Sequence, residues 1–413
     1  MSLIVMKFGG TSVGDTDRIK NAAVKVAAEI QRGNKVAVVV SAMAGVTDRL
    51  IGYCRAITPN YDEREYDAVV SAGEQVSSGL MALALQQRGL NARSWQGWQV
   101  ALHTDSSHGK ARINGIDAAA MLKSIDNGEV GVMAGFQGIT PDKRISTLGR
   151  GGSDTSAVAL AVALKADRCD IYTDVDGVYT ADPRIVQKAR KMKYVSYEEM
   201  LELASLGAKV LQVRSVEMAM RFRMPVQVLS TFDNEIGSDL PGTLVAEGNE
   251  KMEENPVTGI AHTKDEAQIT LIGIEDKPGI AAKIFVPLAR AGINVDMIVQ
   301  TASRGDNITD LSFTVTKPDF DRAIKVLEDE KASIGYTKVS SFKGVSKISL
   351  VGMGMRNHVG VAATMFETLA SKGINILVIE TSEINTSVLI SEEYTELALR
   401  ALHAAYGLDD EAA

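Results

Sequence analysis

Two glycine-rich segments, each carrying a basic side chain, are the parts of the sequence best suited to binding an anion. The first, KFGGTS at residues 7–12, follows a short apolar run, and the second, LGRGGSDTS at residues 148–156, precedes an apolar helical stretch. Glycine lets the backbone approach a ligand closely, and the first amides of a helix attract phosphate or carboxylate groups. Neither segment has the residue order of a P-loop or of a dinucleotide-binding motif. Each alone is also consistent with an ordinary turn, in which Ser153 or Asp154 serves only as the helix N-cap.

Further polar side chains follow other predicted strands. Residues 172–184, YTDVDGVYTADPR, are rich in Asp, Thr and Tyr, a composition that suits a nucleotide and equally suits a polar hairpin. Hydroxyl groups follow a second strand in VSAMAGVTD at residues 40–48. Glu74 precedes a predicted helix, where its carboxylate either accepts from an ammonium group or faces solvent, and the residues alone do not decide between these.

Alternating apolar strands and amphipathic helices are expected to hold these segments. Apolar residues at helical spacing run from Ile19 to Ile30, and buried strands are predicted at residues 3–6, 36–40, 129–136, 170–173 and 225–230. Ser196 and Glu199 form a capping-box pattern that opens a helix ending near Gly207. The strand–helix–strand order predicts an α/β fold with a parallel sheet, and such sheets bind ligands at the carboxyl ends of their strands.

Composition excludes several classes of protein. The chain has 413 residues with 52 acidic and 44 basic side chains, and its net charge of −8 argues against nucleic-acid binding. No apolar run reaches the roughly 20 residues that span a bilayer, and the N-terminus lacks the pattern of a signal peptide. The 2 cysteines and 5 histidines argue against a disulfide framework and a structural zinc site. We therefore expect a cytoplasmic protein with neither nucleic-acid nor membrane partners.

The C-terminal part contains an internal repeat, after a polar stretch at residues 231–258 that suggests a domain boundary. The strand ITLIG at residues 269–273 matches ISLVG at 348–352, a spacing of 348 − 269 = 79 residues. GIAA at 279–282 matches GVAA at 360–363, and GIN recurs at 292–294 and 373–375. Each copy predicts a ferredoxin-like βαββαβ module. Free sheet edges of such modules favour pairing between chains, and hence an oligomer.

Taken together, the sequence resembles the aspartokinase family. Five motifs in order carry the resemblance, at residues 7–13, 40–48, 71–74, 149–155 and 172–184, and the repeat resembles two ACT domains. The resemblance covers nearly the whole chain, with a minor departure at Glu380 in the effector stretch of the second module. It implies an amino-acid-kinase domain at residues 1–245, with a parallel-rich sheet and helices on both faces. A linker at 246–265 and ACT modules at 266–340 and 341–413 would follow.

The resemblance implies transfer of a phosphoryl group from ATP to the side-chain carboxylate of L-aspartate. The product would be 4-phospho-L-aspartate, on the route to lysine, threonine and methionine. A carboxylate has a reference pKa of about 4 and is ionised at neutral pH, so no general base is needed. The obstacle is repulsion between an anionic nucleophile and a triphosphate, so catalysis requires positioning and positive charge. Mg²⁺ is expected to bind through phosphate oxygens and waters, without a dedicated cluster of protein ligands.

The same resemblance assigns roles to individual residues. Lys7 would contact the transferring phosphoryl group, Lys209 would be a second cation on the nucleotide side, and Asp154 would orient both lysines. Glu74 would bind the substrate ammonium and Arg150 a substrate carboxylate. The other substrate-site residues would be Ser41, Thr47, Gly151, Gly152 and Ser153. The other ATP-site residues would be Phe8, Gly9, Gly10, Thr173, Asp174, Tyr179, Thr180, Ala181, Asp182, Pro183 and Arg184.

The ACT modules are expected to bind amino-acid effectors in a dimer or tetramer. Lysine and threonine, singly or together, are the implied inhibitors. The implied contacts in the first module are Asp276, Gly279, Ile280, Ala281, Asn294, Val295, Asp296 and Gln300. Those in the second module are Val361, Ala362, Asn375, Ile376, Ser382 and Glu383.

Other functions stay open on sequence alone. A kinase of the same superfamily that acts on glutamate, carbamate or a nucleotide would share the glycine-rich motifs, although Glu74 with Arg150 favours an amino acid. A non-catalytic amino-acid-binding regulator would have no need of Lys7, Asp154 and Lys209. A fused homoserine dehydrogenase is not expected, because little sequence follows the second module. A separate regulatory subunit starting at Met252 is suggested by position alone.

Overall fold

The computed structural model describes residues 1–208, 210–232, 242–248, 256–301 and 307–409. These residues form two compact units. The N-terminal unit holds residues 1–178, 191–205, 210–232 and 242–248, and the C-terminal unit holds residues 179–190, 206–208, 256–301 and 307–409. Lys209 and Met252 lie outside the described residues.

The N-terminal unit alternates strands and helices along the chain. Its strands are β1 Leu3–Phe8, β2 Lys35–Val40, β3 Ala92–Trp95, β4 Leu102–Thr104, β5 Ile113–Ile116, β6 Val130–Ala134, β7 Gln137–Ile139, β8 Ile145–Thr147, β9 Arg168–Thr173, β10 Tyr194–Ser196, β11 Val226–Ser230 and β12 Thr243–Ala246. Its helices are α1 Thr16–Gln31, α2 Val46–Ile57, α3 Glu63–Val70, α4 Ala72–Gln87, α5 Ala119–Asp126, α6 Gly152–Leu164, α7 Tyr197–Ser205 and α8 Val213–Phe222.

A parallel-rich sheet forms the centre of this unit, in the order β10-β12-β11-β9-β1-β2-β6-β3. Neighbouring strands in it are parallel except for β11 and β12. A smaller sheet has the order β5-β4-β7-β8. The long crossovers that a parallel sheet requires are supplied by the helices, as the strand–helix–strand pattern predicted.

Central strand β1 is buried on both faces of the sheet. Ile4, Met6 and Phe8 enter an apolar core that they share with α1 and α4. Because successive side chains of a strand point to opposite faces, Lys7 points away from that core, and there it meets Asp154 of α6. Helices therefore cover both faces, and the predicted fold class is confirmed.

The predicted capping box at the start of α7 is also confirmed. The amide of Ser196 donates to Glu199 Oε2 at 3.1 Å, and the amide of Glu199 donates to Ser196 Oγ at 3.1 Å. Helix α7 ends at Ser205, slightly before the predicted stop at Gly207.

One helical stretch, Glu63–Gln87, contains α3 and α4 and is long and apolar enough to cross a membrane by length and composition alone. Within the structure, 56% of its apolar window is buried, and the core helix of a folded domain passes the same test. Met81 and Leu85 of α4 lie in the same apolar core as β1. The stretch thus packs here as a core element of the N-terminal unit.

The C-terminal unit contains the repeated modules. Its strands are β13 Gly259–Glu275, β14 Asp296–Gln300, β15 Ile308–Thr316, β16 Lys338–Val351, β17 Ile376–Thr381 and β18 Asn385–Ser391. Its helices are α9 Ile280–Arg290, α10 Phe320–Asp329, α11 Lys331–Ile334, α12 Val361–Ser371 and α13 Thr395–Ala405, with 3₁₀ turns at Lys317–Asp319, Met353–Asn357 and Glu392–Tyr394. The strands form one sheet in the order β14-β15-β13-β16-β18-β17, so β14 and β17 are its edges.

Two long strands, β13 and β16, run through both modules. They pair from Gly259 opposite Val351 to Ile272 opposite Lys338. The structure therefore corrects the predicted boundaries: residues 259–265, assigned to a linker, are strand, and β16 crosses the predicted division between residues 340 and 341. Among the described residues no strand follows α13, and the start of β13 fills that place beside β16 in the second module.

Candidate active site

A cleft of about 370 Å³ opens where β1 and β9 end, and it brings together several predicted site residues. Lys7 Nζ lies 2.5 Å from Asp154 Oδ1, and the two side chains are 9% and 12% exposed. The lining residues are Lys7, Gly9, Gly10, Thr11, Ala44, Asp154, Ile171, Thr173, Val210 and Gln212. A fixed positive charge beside a glycine-rich turn is suited to stabilising negative charge that develops on a ligand.

The turn after β1 offers backbone to a ligand, and not a helix N-terminus. Phe8 is fully buried and stacks on Tyr172 with ring centroids 4.9 Å apart, so its side chain is not available to a ligand. The N-terminus of α1 is capped by Asp15, which accepts the amide of Arg18 at 2.8 Å. The expectation that this helix directs its amides at an anion is therefore corrected, because its cap already satisfies one of them.

Helix α6 begins directly in the second glycine-rich segment. Gly151, at φ 71°, is the N-cap residue, so the prediction that Ser153 or Asp154 caps this helix is wrong. A side chain at Gly151 would have no room, since its Cβ would lie 2.0 Å from Cγ of Gln212. Asp154 instead lies in the first turn, where the positive end of the helix stabilises a carboxylate.

Glu74 is a buried carboxylate at the start of α4, only 3% exposed. Its Oε1 accepts the amide of Ala42 at 3.0 Å, and its Oε2 has no hydrogen-bond partner among the described residues. Burial raises the pKa of Glu74 to about 7. Gly73 permits this close approach, because a Cβ there would lie 2.7 Å from Cβ of Ala42. A buried carboxylate oxygen without a partner is suited to an ammonium group of a ligand.

The other predicted substrate residues lie on three segments. Ser41 directly follows β2 on the loop that carries Ala42, and Thr47 lies in the first turn of α2; both are half-buried. Gly152 and Ser153 are buried at the start of α6. Arg150 is exposed and has no ion-pair partner in the described part of the chain, so its charge is available to a ligand.

A hydrogen-bonded cluster beside the second glycine-rich segment was not predicted. Asp67 of α3 is fully buried and accepts from Thr147 Oγ1 at 2.5 Å, from His108 Nδ1 at 2.7 Å and from the amide of Gly109 at 3.1 Å. Since Thr147 ends β8, the cluster fixes the chain shortly before Arg150. His108 and Thr147 lie 41 and 80 residues from Asp67 in the sequence, so no local motif indicates the cluster.

The predicted ATP-site residues after β9 are divided between the two units. Thr173 lines the cleft, and Asp174 is exposed next to it in sequence. Residues 179–184 belong to the C-terminal unit, where Thr180 and Ala181 are buried. The side chains of Asp174 and of residues 179 and 182–184 are not buried, whereas those of Thr180 and Ala181 are, and the assignment of this segment to ATP stays a prediction.

The predicted effector residues occupy corresponding places in the two modules. They lie at the start of α9 and on or beside edge strand β14, and at the start of α12 and on or beside edge strand β17. Lys347 is 4% exposed, and its Nζ lies 2.7 Å from Asp296 Oδ2 and 3.4 Å from Glu380 Oε2. Burial disfavours the charged ammonium, but the two carboxylates outweigh burial, and the pKa of Lys347 is raised. Glu380, the departure from the family pattern, is thus tied to β14 through Lys347.

Comparison with known proteins decides the family. The sequence matches the amino acid kinase family over residues 2–230 and the ACT domain over residues 269–330 and 348–406. It is 50% identical to the aspartate kinase of Pseudomonas putida, with 99% of this chain and 98% of that protein aligned. The chain belongs to the aspartate kinase family.

Two solved structures of E. coli aspartokinase III resemble this chain, each at 28% identity. The complex with aspartate and ADP, described as the R-state, has a TM-score of 0.79 and covers 98% of this chain and 99% of that one. The complex with lysine and aspartate, described as the T-state, has a TM-score of 0.75 and covers 97% and 99%. The predictions of an ATP-dependent aspartate kinase and of tandem ACT domains are confirmed, and the alternatives with another acceptor or without catalysis are set aside.

Proposed function

We propose that the cleft around Lys7 transfers the γ-phosphoryl group of ATP to the side-chain carboxylate of L-aspartate. The observation that carries this proposal is the buried Lys7–Asp154 ion pair beside the glycine-rich turn after β1. It supplies positive charge in a defined position. No general base is needed beside it, because the acceptor carboxylate is already ionised.

The transfer forms a bond between a carboxylate oxygen of aspartate and the γ-phosphorus, and it breaks the bond from that phosphorus to the oxygen that leaves with ADP. Negative charge accumulates on the oxygens of the transferring group. Lys7 neutralises this charge, and Asp154 holds the Lys7 ammonium in place, so little reorganisation is needed during the reaction.

Aspartate is held by its amino-acid end in this proposal. Oε2 of Glu74 accepts from the substrate ammonium, and the exposed Arg150 guanidinium pairs with a substrate carboxylate through two parallel hydrogen bonds. Ser41, on the loop that also carries Ala42, and Thr47, in the first turn of α2, complete the pocket. The acceptor carboxylate then points towards Lys7.

ATP is held at the ends of β1 and β9 in this proposal. The backbone of Gly9 and Gly10 approaches the phosphates, with Thr173 on the same cleft. Mg²⁺ prefers oxygen ligands, and the exposed carboxylate of Asp174 fits that preference beside the phosphate oxygens. When bound, the ion neutralises phosphate charge. Lys209, as the second cation, remains a proposal from family resemblance.

A hydroxamate assay tests the acceptor. The full chain is incubated with ATP, Mg²⁺ and hydroxylamine, which converts an acyl phosphate into a hydroxamate. We expect hydroxamate from L-aspartate and about 10- to 200-fold less from L-glutamate, because one methylene in a fitted pocket contributes about that much selectivity. Reactions without ATP are the control, and folded protein that makes no hydroxamate from aspartate would contradict the proposal.

We further propose that lysine and threonine act on edge strands β14 and β17, in a cytoplasmic oligomer formed through the ACT modules. The corresponding positions of the predicted contacts in both modules support this, as does the lysine bound to the E. coli relative. Ile298 on β14 and Ile379 on β17 are 51% and 45% exposed, and apolar edge strands favour pairing with another chain.

Aspartate saturation curves test the effectors. We expect lysine, threonine or their mixture to raise the aspartate concentration for half-maximal rate about 5- to 150-fold, which corresponds to a coupling free energy of about 1–3 kcal/mol. L-alanine at the same concentrations is the control. Superimposable curves with each amino acid and with the mixture would rule out both effectors.

A further inference from the structure

One segment from within the kinase part of the sequence is built into the C-terminal unit. Residues 179–190 continue from Val178 and return to Lys191, both in the N-terminal unit, but their own contacts place them in the C-terminal unit. Ala181 and Val186 lie in the apolar core of the second ACT module, which also contains residues of α12 and α13. The segment is thus covalently part of one unit and packed in the other.

A chain of hydrogen bonds joins this segment to α13. Thr180 Oγ1 lies 2.8 Å from His403 Nε2, and His403 Nδ1 lies 2.5 Å from Asp409 Oδ1. His403 is fully buried, and the amide of Arg190 donates to Thr180 Oγ1 at 2.9 Å. With a neutral imidazole, Nδ1–H donates to Asp409 and Nε2 accepts from the Thr180 hydroxyl, so each of these polar groups is satisfied.

The order hydroxyl, imidazole and carboxylate is that of a hydrolase triad, but this one does not face a substrate. Thr180 is only 5% exposed, and its hydroxyl oxygen already accepts an amide. A nucleophile needs access to a reacting carbon, which this hydroxyl lacks. The arrangement therefore serves to hold the segment in place.

Backbone contacts reinforce the attachment from several sides. The amide of Ile260 donates to Thr180 O at 2.8 Å, Arg400 Nε donates to Ile185 O at 2.9 Å, and Arg190 Nε donates to Leu408 O at 2.7 Å. The middle of α13 and the chain just after its C-terminal end are thereby connected to the segment, and so is β13 through Ile260. A displacement of α13 must move residues 179–190 or break these bonds.

We propose that residues 179–190 transmit the state of the second ACT module to the nucleotide site, with His403 as the positioning residue that couples α13 to this segment. The inference rests on the proposed function, because family resemblance places residues 179–184 at the ATP site. Its physical content is a shared element: the segment is hydrogen-bonded to α13 and continuous with the chain that leads from Thr173. Effector binding that shifts the module would shift the segment, and this differential contact is what coupling requires.

Two substitutions at His403 separate coupling from packing. His403→Leu removes both hydrogen bonds of the imidazole, whereas His403→Gln keeps a polar atom at the position that bonds Thr180. The matched control is Thr395→Val, which removes a buried hydroxyl on the same helix whose bond, to Glu392 O at 2.6 Å, stays within the module. The measured quantities are kcat, KM for ATP, KM for aspartate, and the concentration of lysine plus threonine that gives half inhibition.

We expect His403→Leu to raise the half-inhibiting concentration at least fivefold and KM for ATP severalfold, with KM for aspartate changed less than twofold. His403→Gln and Thr395→Val are expected to stay within twofold of the unmodified protein in each quantity. Equal shifts in His403→Leu and Thr395→Val would show general loosening of the module and overturn the inference. Unchanged inhibition in His403→Leu, or no inhibition of an unmodified protein that forms hydroxamate, would also overturn it.

Hydrogen exchange on the unmodified full chain gives an answer even if His403→Leu does not fold. We expect lysine plus threonine to change amide exchange in residues 179–190 and in α13 together. A change in α13 without one in residues 179–190 would overturn the inference. If no hydroxamate forms from aspartate, the proposed function fails, and the exchange measurement alone decides whether the segment follows the module.

Discussion

Lys7→Ala is expected to lower kcat for aspartate phosphorylation by about 10³-fold or more, the scale reported for removing a preorganised charge from a developing oxyanion or a transferring phosphoryl group. The Lys7 ammonium acts mainly in the transition state, so KM for aspartate should change much less than kcat. Steady-state hydroxamate formation at saturating ATP measures both constants. Near-normal kcat in the purified variant would show that another group neutralises the transferring phosphoryl.

Stability needs separate control in this experiment, because Lys7 also neutralises Asp154. Removing one partner of a buried ion pair commonly costs about 3–5 kcal/mol, since the remaining charge stays buried without compensation. The double variant Lys7→Ala/Asp154→Asn removes that uncompensated charge, and we expect it to regain most of the lost free energy of unfolding while staying inactive. Denaturant unfolding of the three proteins separates the loss of catalysis from the loss of fold.

Glu74→Gln is expected to lower kcat/KM for aspartate by at least about 100-fold, because the substrate ammonium loses a buried anionic acceptor. Glutamine keeps the size of the side chain, and its amide oxygen can still accept the amide of Ala42, now at 3.0 Å from Glu74 Oε1. KM for ATP should be nearly unchanged. An unaltered KM for aspartate would show that Glu74 is not the ammonium site.

Because the pKa of Glu74 is raised, Glu74→Gln should also change stability, and it should raise stability at high pH while it lowers activity. The pKa lies near 7 in the folded chain and 4.5 for a free side chain, so the folded state binds more protons between these values. The free energy of unfolding therefore falls as pH rises from about 4.5 to 7, by about 3 kcal/mol for this group alone. Glu74→Gln lacks the titration, and at pH 8 it should be more stable than the unmodified protein.

Aspartate binding should follow the same titration, but it should improve as pH rises, whereas stability falls. The ionised carboxylate binds ammonium, so KM for aspartate should fall as pH rises from 6 to 7.5 in the unmodified protein. The Glu74→Gln variant should show no such dependence. Aspartate saturation at a series of pH values measures it, and Thr395→Val provides a control that keeps Glu74. Parallel pH profiles for the two variants would assign the dependence to another group.

The sequence predicted those parts of the site that are local in the chain. A lysine followed by two glycines at the end of an apolar strand indicates a ligand-facing turn, and the capping box of Ser196 and Glu199 needs only four consecutive residues. The pairing of Lys7 with Asp154 came from family resemblance, because it joins a strand to a helix far along the chain. Its geometry became clear only when β1 and α6 packed on each other.

Features that depend on distant contacts were missed for the same reason. The hydrogen-bonded cluster at Asp67 combines side chains from α3, a loop and β8, and no spacing rule links them. The prediction for the N-cap of α6 was wrong because Ser153 and Asp154 are both residue types that commonly cap helices. Gly151, with its left-handed backbone, is the N-cap residue instead, and Asp154 pairs with Lys7. The module boundaries failed because a sequence repeat cannot show which copy borrows a strand from its neighbour.

The shared strands β13 and β16 limit how this protein can be divided or recombined. A cut between residues 340 and 341 would run through β16 near its start, and a fragment that begins after residue 265 would lack the part of β13 that pairs with the second module. The second module is interrupted by the first and is not joined end to end with it. A chimera that takes its effector specificity from a relative must therefore exchange both modules together, starting at a residue before Gly259.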